Sequence, residues 1–273
     1  MPSYAVVGAS RGIGLELVRQ LALEPDNTVF ATARNKQTST HLHAVLQALP
    51  HKNVHVLGAD VTDHRTLQNA AAEAAEVANG SLDVLIYNAA ILDRESVLRS
   101  LLDYPSEDKL HDDFIQSYEV NVLGAIHAVN AFLPLLRKGT TKKIILVGGG
   151  ASTREFVLKA QVATMAALSI TKAALTMVVL KYAVGLKDEG FTVVSVNPGW
   201  VDTSATAETS AAASAEDMAK FGRLLAKVKA VYPQVQVQTP EAAVRQFLAT
   251  VSSVGPADTG AYLSGPGFGD ETA

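Results

Sequence analysis

Short runs of β-branched and apolar residues alternate along the chain with longer stretches whose apolar positions recur at helical spacing. The runs at 4–7, 28–32, 54–57, 83–87, 143–147, 192–196 and 260–263 predict strands, and the stretches at 14–23, 38–49, 63–78, 112–136, 163–187 and 240–251 predict helices. Such alternation implies a parallel sheet covered by helices on both faces, with ligands expected beyond the carboxyl ends of the strands. The expected fold class is therefore α/β, a doubly wound parallel sheet of seven strands. No repeat and no linker divides the chain, so residues 1–273 are expected to form one domain.

Composition narrows the partners. With 273 residues, 48% of them hydrophobic, the chain can bury a large core. A net charge of -4 and a pI near 6.0 give no electrostatic footprint for nucleic acid, and no Lys/Arg run suggests a membrane surface. The expected partner is a small molecule. The chain has no cysteine, which excludes disulfides and thiolate metal sites. Its seven histidines, His41, His43, His51, His55, His64, His111 and His127, show no metal-ligand spacing, so no metal is expected. A first strand starting at Tyr4 leaves no room for a cleavable signal, and no apolar run reads as membrane-spanning; a soluble, cytoplasmic protein is the expectation.

Specific chemistry begins after the first strand. In Val7-Gly8-Ala9-Ser10-Arg11-Gly12-Ile13-Gly14 three glycines spaced GxxxGxG follow a strand and open a helix. Glycines there let the backbone turn tightly and approach a pyrophosphate, while the helix N-terminus offers free N–H groups and a partial positive charge.

Further landmarks agree with that turn: Asp60-Val61 after the third strand, Asn88-Ala89-Ala90 after the fourth, Asn121 in the next helix, Lys172, and Pro198-Gly199-Trp200-Val201-Asp202-Thr203 after the sixth. From Tyr4 to about Gly265 the chain resembles the short-chain dehydrogenase/reductase family, which implies a Rossmann fold and a nicotinamide dinucleotide. The resemblance implies that Gly8, Ser10, Arg11, Gly12, Ile13 and Gly14 hold the pyrophosphate, Asp60 and Val61 the adenine, Asn88 and Ala89 the adenosine ribose, and Pro198, Gly199, Val201 and Thr203 the nicotinamide carboxamide. Tyr87 and Ala90 depart from the usual Asn-Asn-Ala-Gly. Charge argues for the phosphorylated cofactor, NADP(H). Ala33-Arg34 ends the second strand where an acidic residue would repel a 2′-phosphate, and Arg11 lies where a second cation could reach it.

The family's catalytic pattern is only half present. The resemblance implies that a tyrosine four residues before the lysine protonates the substrate oxygen and a serine near the end of the fifth strand bonds it; the lysine binds the nicotinamide ribose and lowers the tyrosine pKa, and an asparagine completes a water relay beside the cofactor. Here Asn121 and Lys172 remain, Leu168 stands at the tyrosine position, and Val147-Gly148-Gly149-Gly150 covers the serine position. General acid catalysis contributes roughly 100- to 10,000-fold, and oxyanion donors act on a similar scale, so simple ketones should react very slowly. Ser152, Thr153, Thr164, Ser169 and Asp93 are the candidate replacement donors. Asp93 and Glu155 could instead steady a cationic substrate, because hydride addition to an iminium carbon leaves no alkoxide to protonate. In lacking serine and tyrosine the chain resembles the short-chain reductases of fungal indole-alkaloid pathways, which can combine iminium reduction with an intramolecular Diels-Alder cyclisation.

Residues 204–238 read as a substrate lid. An Ala/Ser/Thr-rich opening leads into Met218, Phe221, Leu224, Leu225, Val228 and Val231 at helical spacing, with Lys220, Arg223, Lys227 and Lys229 between them. The acidic stretch 103–113 reads as a solvated loop. The family pairs through its two long central helices, which implies a homodimer or homotetramer. Three functions stay open: an NADPH-dependent reductase of an iminium or activated C=C, a non-redox cyclase or isomerase that holds NADP, and a catalytically silent NADP(H)-binding protein.

Overall fold

The computed structural model describes residues 1–91, 94–207 and 214–265. Along them run strands β1 (Ser3–Val7), β2 (Thr28–Ala33), β3 (Val54–Gly58), β4 (Val84–Tyr87), β5 (Lys143–Val147), β6 (Thr192–Val196), β7 (Trp200–Val201), β8 (Val237–Gln238) and β9 (Tyr262–Leu263). The helices are α1 (Gly12–Leu21), α2 (Thr40–Ala48), α3 (His64–Val77), α4 (Arg94–Val97), α5 (Glu107–Tyr118), α6 (Gly124–Leu136), α7 (Arg154–Ala160), α8 (Ala166–Gly185), α9 (Ala215–Val231) and α10 (Pro240–Ser253). Seven strands form one sheet in the order β3-β2-β1-β4-β5-β6-β9, parallel throughout. This is the single-domain Rossmann-type architecture that the strand and helix alternation predicts.

Both faces of the sheet are covered, which is why the central strands read as unbroken apolar runs. On β4, Leu85 and Tyr87 face a core built with Leu67 of α3, Phe132 of α6 and Leu175 of α8. Val84 and Ile86 face the other, with Leu17 and Val18 of α1 and Phe247 of α10. A third cluster lies away from the sheet and joins Phe156, Met165, Leu224 and Val228. The strand order reverses between β1 and β4, and the crevice at their carboxyl ends is where such sheets bind ligands.

Several boundaries differ from the sequence reading. The helix expected at 112–136 starts at Glu107 instead, because Ser106 accepts a hydrogen bond from the Lys109 amide at 3.2 Å and Glu107 and Asp108 complement the first turn. Residues 103–113 are therefore not one solvated loop. Asp113 is buried, where it accepts from Ser96 Oγ at 2.5 Å and pairs with Lys109 Nζ at 2.7 Å. A wide π turn, Glu119–Leu123, then separates α5 from α6. α8 begins at Ala166 rather than 163, since Met165 takes a left-handed backbone (φ 61°) that ends any earlier helix. The expectation of no membrane-length apolar run is also corrected: Glu107–Leu136 and Ala166–Gly185 are long and apolar enough by composition, yet α6 within the first, and α8, each lay one face in the core on the sheet.

Asp83 lies just before β4 because its carboxylate is occupied elsewhere. It accepts from the Ser3 amide (2.9 Å) and hydroxyl (3.0 Å) and from the Thr140 amide (2.8 Å) and hydroxyl (2.7 Å), tying three chain segments together. Burial pushes its carboxyl up, but the bonds from Thr140 and Ser3 outweigh this and hold it below the usual carboxylate range. A depressed pKa stabilises the fold above the unfolded value, about 4, and that contribution is lost as pH falls through the lower folded one. Asp83→Ala should cost about 3 kcal/mol at neutral pH. Urea melts should show the gap to wild type closing in acid.

Candidate active site

The turn between β1 and α1 is held from three sides. Gly8 (φ 86°) donates its amide to Thr32 Oγ1 at 3.0 Å, and its carbonyl accepts from Asn88 Nδ2 at 2.8 Å. The amides of Asn88 and Ala89 both reach Val7 O, at 3.0 and 2.9 Å. Gly14 has no room for a side chain, since a Cβ there would lie 2.0 Å from Gly8 O and 2.6 Å from Asn88 Nδ2. Gly14→Ala must therefore displace the turn. A loss of about 1–3 kcal/mol in stability and a weakened dinucleotide affinity are expected, read by thermal melting and calorimetry. Ser10, Arg11 and Ile13 sit half-buried along this turn.

Beyond β2 and β3 lie the groups expected around the adenosine. Arg34 is exposed directly after β2. Asp60 Oδ1 accepts from the amide (3.0 Å) and hydroxyl (2.7 Å) of Thr62, which fixes the carboxylate's direction. Val61 is buried against Gly124, where a Cβ would come within 2.9 Å of Val61 Cβ and 2.5 Å of the Tyr87 hydroxyl. That hydroxyl donates to Val120 O at 2.5 Å inside the π turn. Tyr87, a departure from the family's usual asparagine, thus braces the segment that carries Asn121.

Asn121 is fully buried. Its Oδ1 accepts from the Ile91 amide and its Nδ2 donates to Thr171 Oγ1, each at 2.9 Å, so the π turn is bound both to the strand end after β4 and to the residue before Lys172. Lys172, also buried, donates from Nζ to Val147 O at 2.6 Å, and burial lowers its pKa to about 8. Lys172 is thereby held at the carboxyl end of β5, and Asn121 is tied to the residue beside it and to the segment after β4.

Leu168 lies one turn before Lys172 on α8, half-buried, and packs on the third apolar cluster together with Val97, Ala151 and Trp200. Gly149 has an extended backbone (φ -161°), and a Cβ on it would make ordinary contact with Lys172 Cγ at 3.7 Å. At Gly148 a Cβ would come 2.5 Å from Ser195 Oγ. Of these two positions, only 149 leaves room for a Cβ.

The other expected donors are held locally. Ser152 Oγ donates to Gly149 O at 2.7 Å, and Thr153 caps α7 by accepting from the Phe156 amide at 3.2 Å. Glu155 pairs with Lys159. Thr164 and Ser169 are half-buried beside Leu168. Asp93 lies outside the described residues.

The segment after β6 folds back across the site. Pro198 is buried, Gly199 donates its amide to Asn197 Oδ1 at 3.0 Å, and Val201 and Thr203 are half-buried. β7 and β8 pair in parallel, Trp200 with Val237 and Val201 with Gln238, so the two ends of the intervening excursion are joined. α9 buries Leu224 and Val228. Phe221 meets Trp200 edge-on at 5.8 Å, and Tyr232 stacks on Phe156 at 5.9 Å. Sequence reasoning missed β7, β8, α4 and α7, which are too short to show a period, and with them these aromatic contacts.

A family profile described as short chain dehydrogenase matches residues 3–214 of this chain. The chain belongs to the short-chain dehydrogenase/reductase family. The short-chain dehydrogenase/reductase atnB of Arthrinium sp. is 38% identical over 244 residues, covering 87% of this chain and 91% of its own length. The short chain dehydrogenase virK of Hypocrea virens is 34% identical, with 91% and 90% covered. Among solved structures, an NADPH-bound carbonyl reductase from chicken fatty liver superposes with a TM-score of 0.75 at 26% identity, covering 98% of this chain and 93% of that one. A short chain dehydrogenase of Burkholderia cenocepacia in complex with NADP gives 0.72 at 27%, with 97% and 96% covered. Family membership makes this short-chain dehydrogenase an oxidoreductase by descent.

Proposed function

We propose that this protein is an NADP(H)-dependent reductase of a small or medium organic molecule of the secondary-metabolite kind, acting on an iminium or an activated C=C in preference to a simple ketone. Leu168 carries the reading. It places a half-buried apolar side chain, packed on the cluster that holds Phe156, Met165, Leu224 and Val228, where the family pattern calls for a proton donor. When bound, NADPH would supply the hydride. Addition to an iminium carbon removes a positive charge and gives a neutral amine, so the leucine imposes no penalty on that step. Lys172, its pKa lowered to about 8 by burial, is in part neutral at mildly alkaline pH, which lessens its repulsion of a cationic substrate.

The cradle fits the dinucleotide: the backbone at Gly14 is closed to any side chain, and the neighbouring amides open α1. Arg34 and Arg11 favour the 2′-phosphate, in keeping with the NADPH and NADP named for the two solved structures above. The excursion between β7 and β8 serves as a lid over the substrate, completing one NADP(H)-binding domain. Ile170, Met177, Leu180 and Val184 leave an exposed apolar face on α8 that suits pairing into a homodimer or homotetramer. A cytoplasmic location accords with the supply of NADPH.

The test is direct. With NADPH and a panel of cyclic imines, activated alkenes and ketones, loss of reduced-nicotinamide absorbance is expected with imines or alkenes. Ordinary rates on ketones would overturn the reading of Leu168, and tight NADPH binding without turnover would favour a cyclase or a silent binding protein.

A further inference from the structure

Most of the longer helices with a polar residue at the N-cap are capped by their own side chain, as Asp63 does for α3, Ser106 for α5, Ser214 for α9 and Thr239 for α10. α1 is different. Its N-cap is Arg11, whose side chain makes no capping bond, and the Gly12 amide instead donates to Thr206 Oγ1 at 2.9 Å, 194 residues further along the chain. Thr206 ends a short 3₁₀ turn, Ser204–Thr206, whose start is fixed by the Ser204 amide donating to Asp202 Oδ1 at 3.0 Å. Thr203 lies over the same glycine, with its methyl 3.3 Å from where a Gly12 Cβ would be. The root of the lid is thus seated on the turn expected to hold the pyrophosphate.

We propose that Thr206 is a positioning residue that fastens the lid root to the cofactor turn and retains the dinucleotide through its pyrophosphate; this rests on the NADP(H) reading above. A hydroxyl donates and accepts at once. The oxygen of Thr206 holds the Gly12 amide, while among the described residues its proton has only a long contact to Thr203 O, at 3.4 Å, and can turn to a phosphate oxygen. Arg34 and Arg11 would read the 2′-phosphate, and Thr206 would act on the opposite side of the same cofactor.

The test uses the full chain, with Thr206→Val, which keeps the shape and removes the hydroxyl, and Thr206→Ser, which keeps the hydroxyl. Calorimetry with NADPH and with adenosine 2′-phosphate, which has no pyrophosphate, separates the two halves of the site. Trp200, the chain's one tryptophan, reports NADPH dissociation by energy transfer in stopped flow. Thr206→Val is expected to bind NADPH about tenfold more weakly and release it faster, to bind adenosine 2′-phosphate as wild type does, and Thr206→Ser should behave as wild type. Unchanged NADPH binding in the valine variant would make the bond purely structural and overturn the proposal. So would tighter binding, which would make Thr206 an obstruction, or an equal loss for both ligands, which would signal general damage. Should the wild type bind neither ligand, the cofactor reading itself falls.

Discussion

Ketone reduction with NADPH is expected to rise by roughly 100- to 10,000-fold when Gly149→Ser and Leu168→Tyr are made together. The geometry favours it. Position 149 has room beside Lys172 Cγ, and its extended backbone is open to any residue. Position 168 lies one helical turn from a buried lysine whose charge would lower a phenol's pKa as it does in the family pattern. Neither change alone should give more than a small part of the gain, because groups that act as a unit are strongly non-additive. The tyrosine is larger than leucine and must displace part of its packing on the third apolar cluster, so reduction of imines should fall in the same variant. The measurement is kcat/KM across a matched set of ketones and imines. A double variant that folds, binds NADPH and still leaves ketones untouched would show that more than the acid is missing.

Arg34→Asp should remove the preference for the 2′-phosphate, weakening NADPH by roughly 10- to 100-fold while NADH is retained or gains. Arg34 stands exposed immediately after β2, at the position where the family pattern reads the ribose 2′ group. An aspartate there would accept from a ribose hydroxyl and repel a phosphate. Competitive titration of the two cofactors checks this. If both bind the variant in the wild-type ratio, the discrimination lies elsewhere, with Arg11 the next residue to change.

The sheet and its glycine turn were legible in the sequence because the central strands are buried on both faces and most helices on one, so periodicity and composition carry the same message. Asn121 and Lys172 were legible through spacing against a family pattern. What supports them was not. The π turn is a backbone event within one continuous helical pattern, and the bond from Tyr87 to Val120 joins residues 33 apart whose side chains look like ordinary core and helix. The start of α5 was hidden because acidic residues suit a solvated loop and a helix's first turn equally well, and only the Ser106 cap decides. The Gly12–Thr206 bond spans most of the chain, and no local pattern announces it.

The pairing of β7 with β8 sets how this enzyme's specificity could be rebuilt. Because Trp200 and Val201 are already stitched to Val237 and Gln238, the cost of closing the loop between them is met by the ladder itself, and each doubling of its length adds only about 0.6 kcal/mol. On the lid reading proposed above, the stretch from Ala207 to Gln236 is an exchangeable cassette: a relative's segment of different length could be spliced between Thr206 and β8, giving the scaffold a new substrate range while its sheet and the Thr206 seat on the cofactor turn stay as they are.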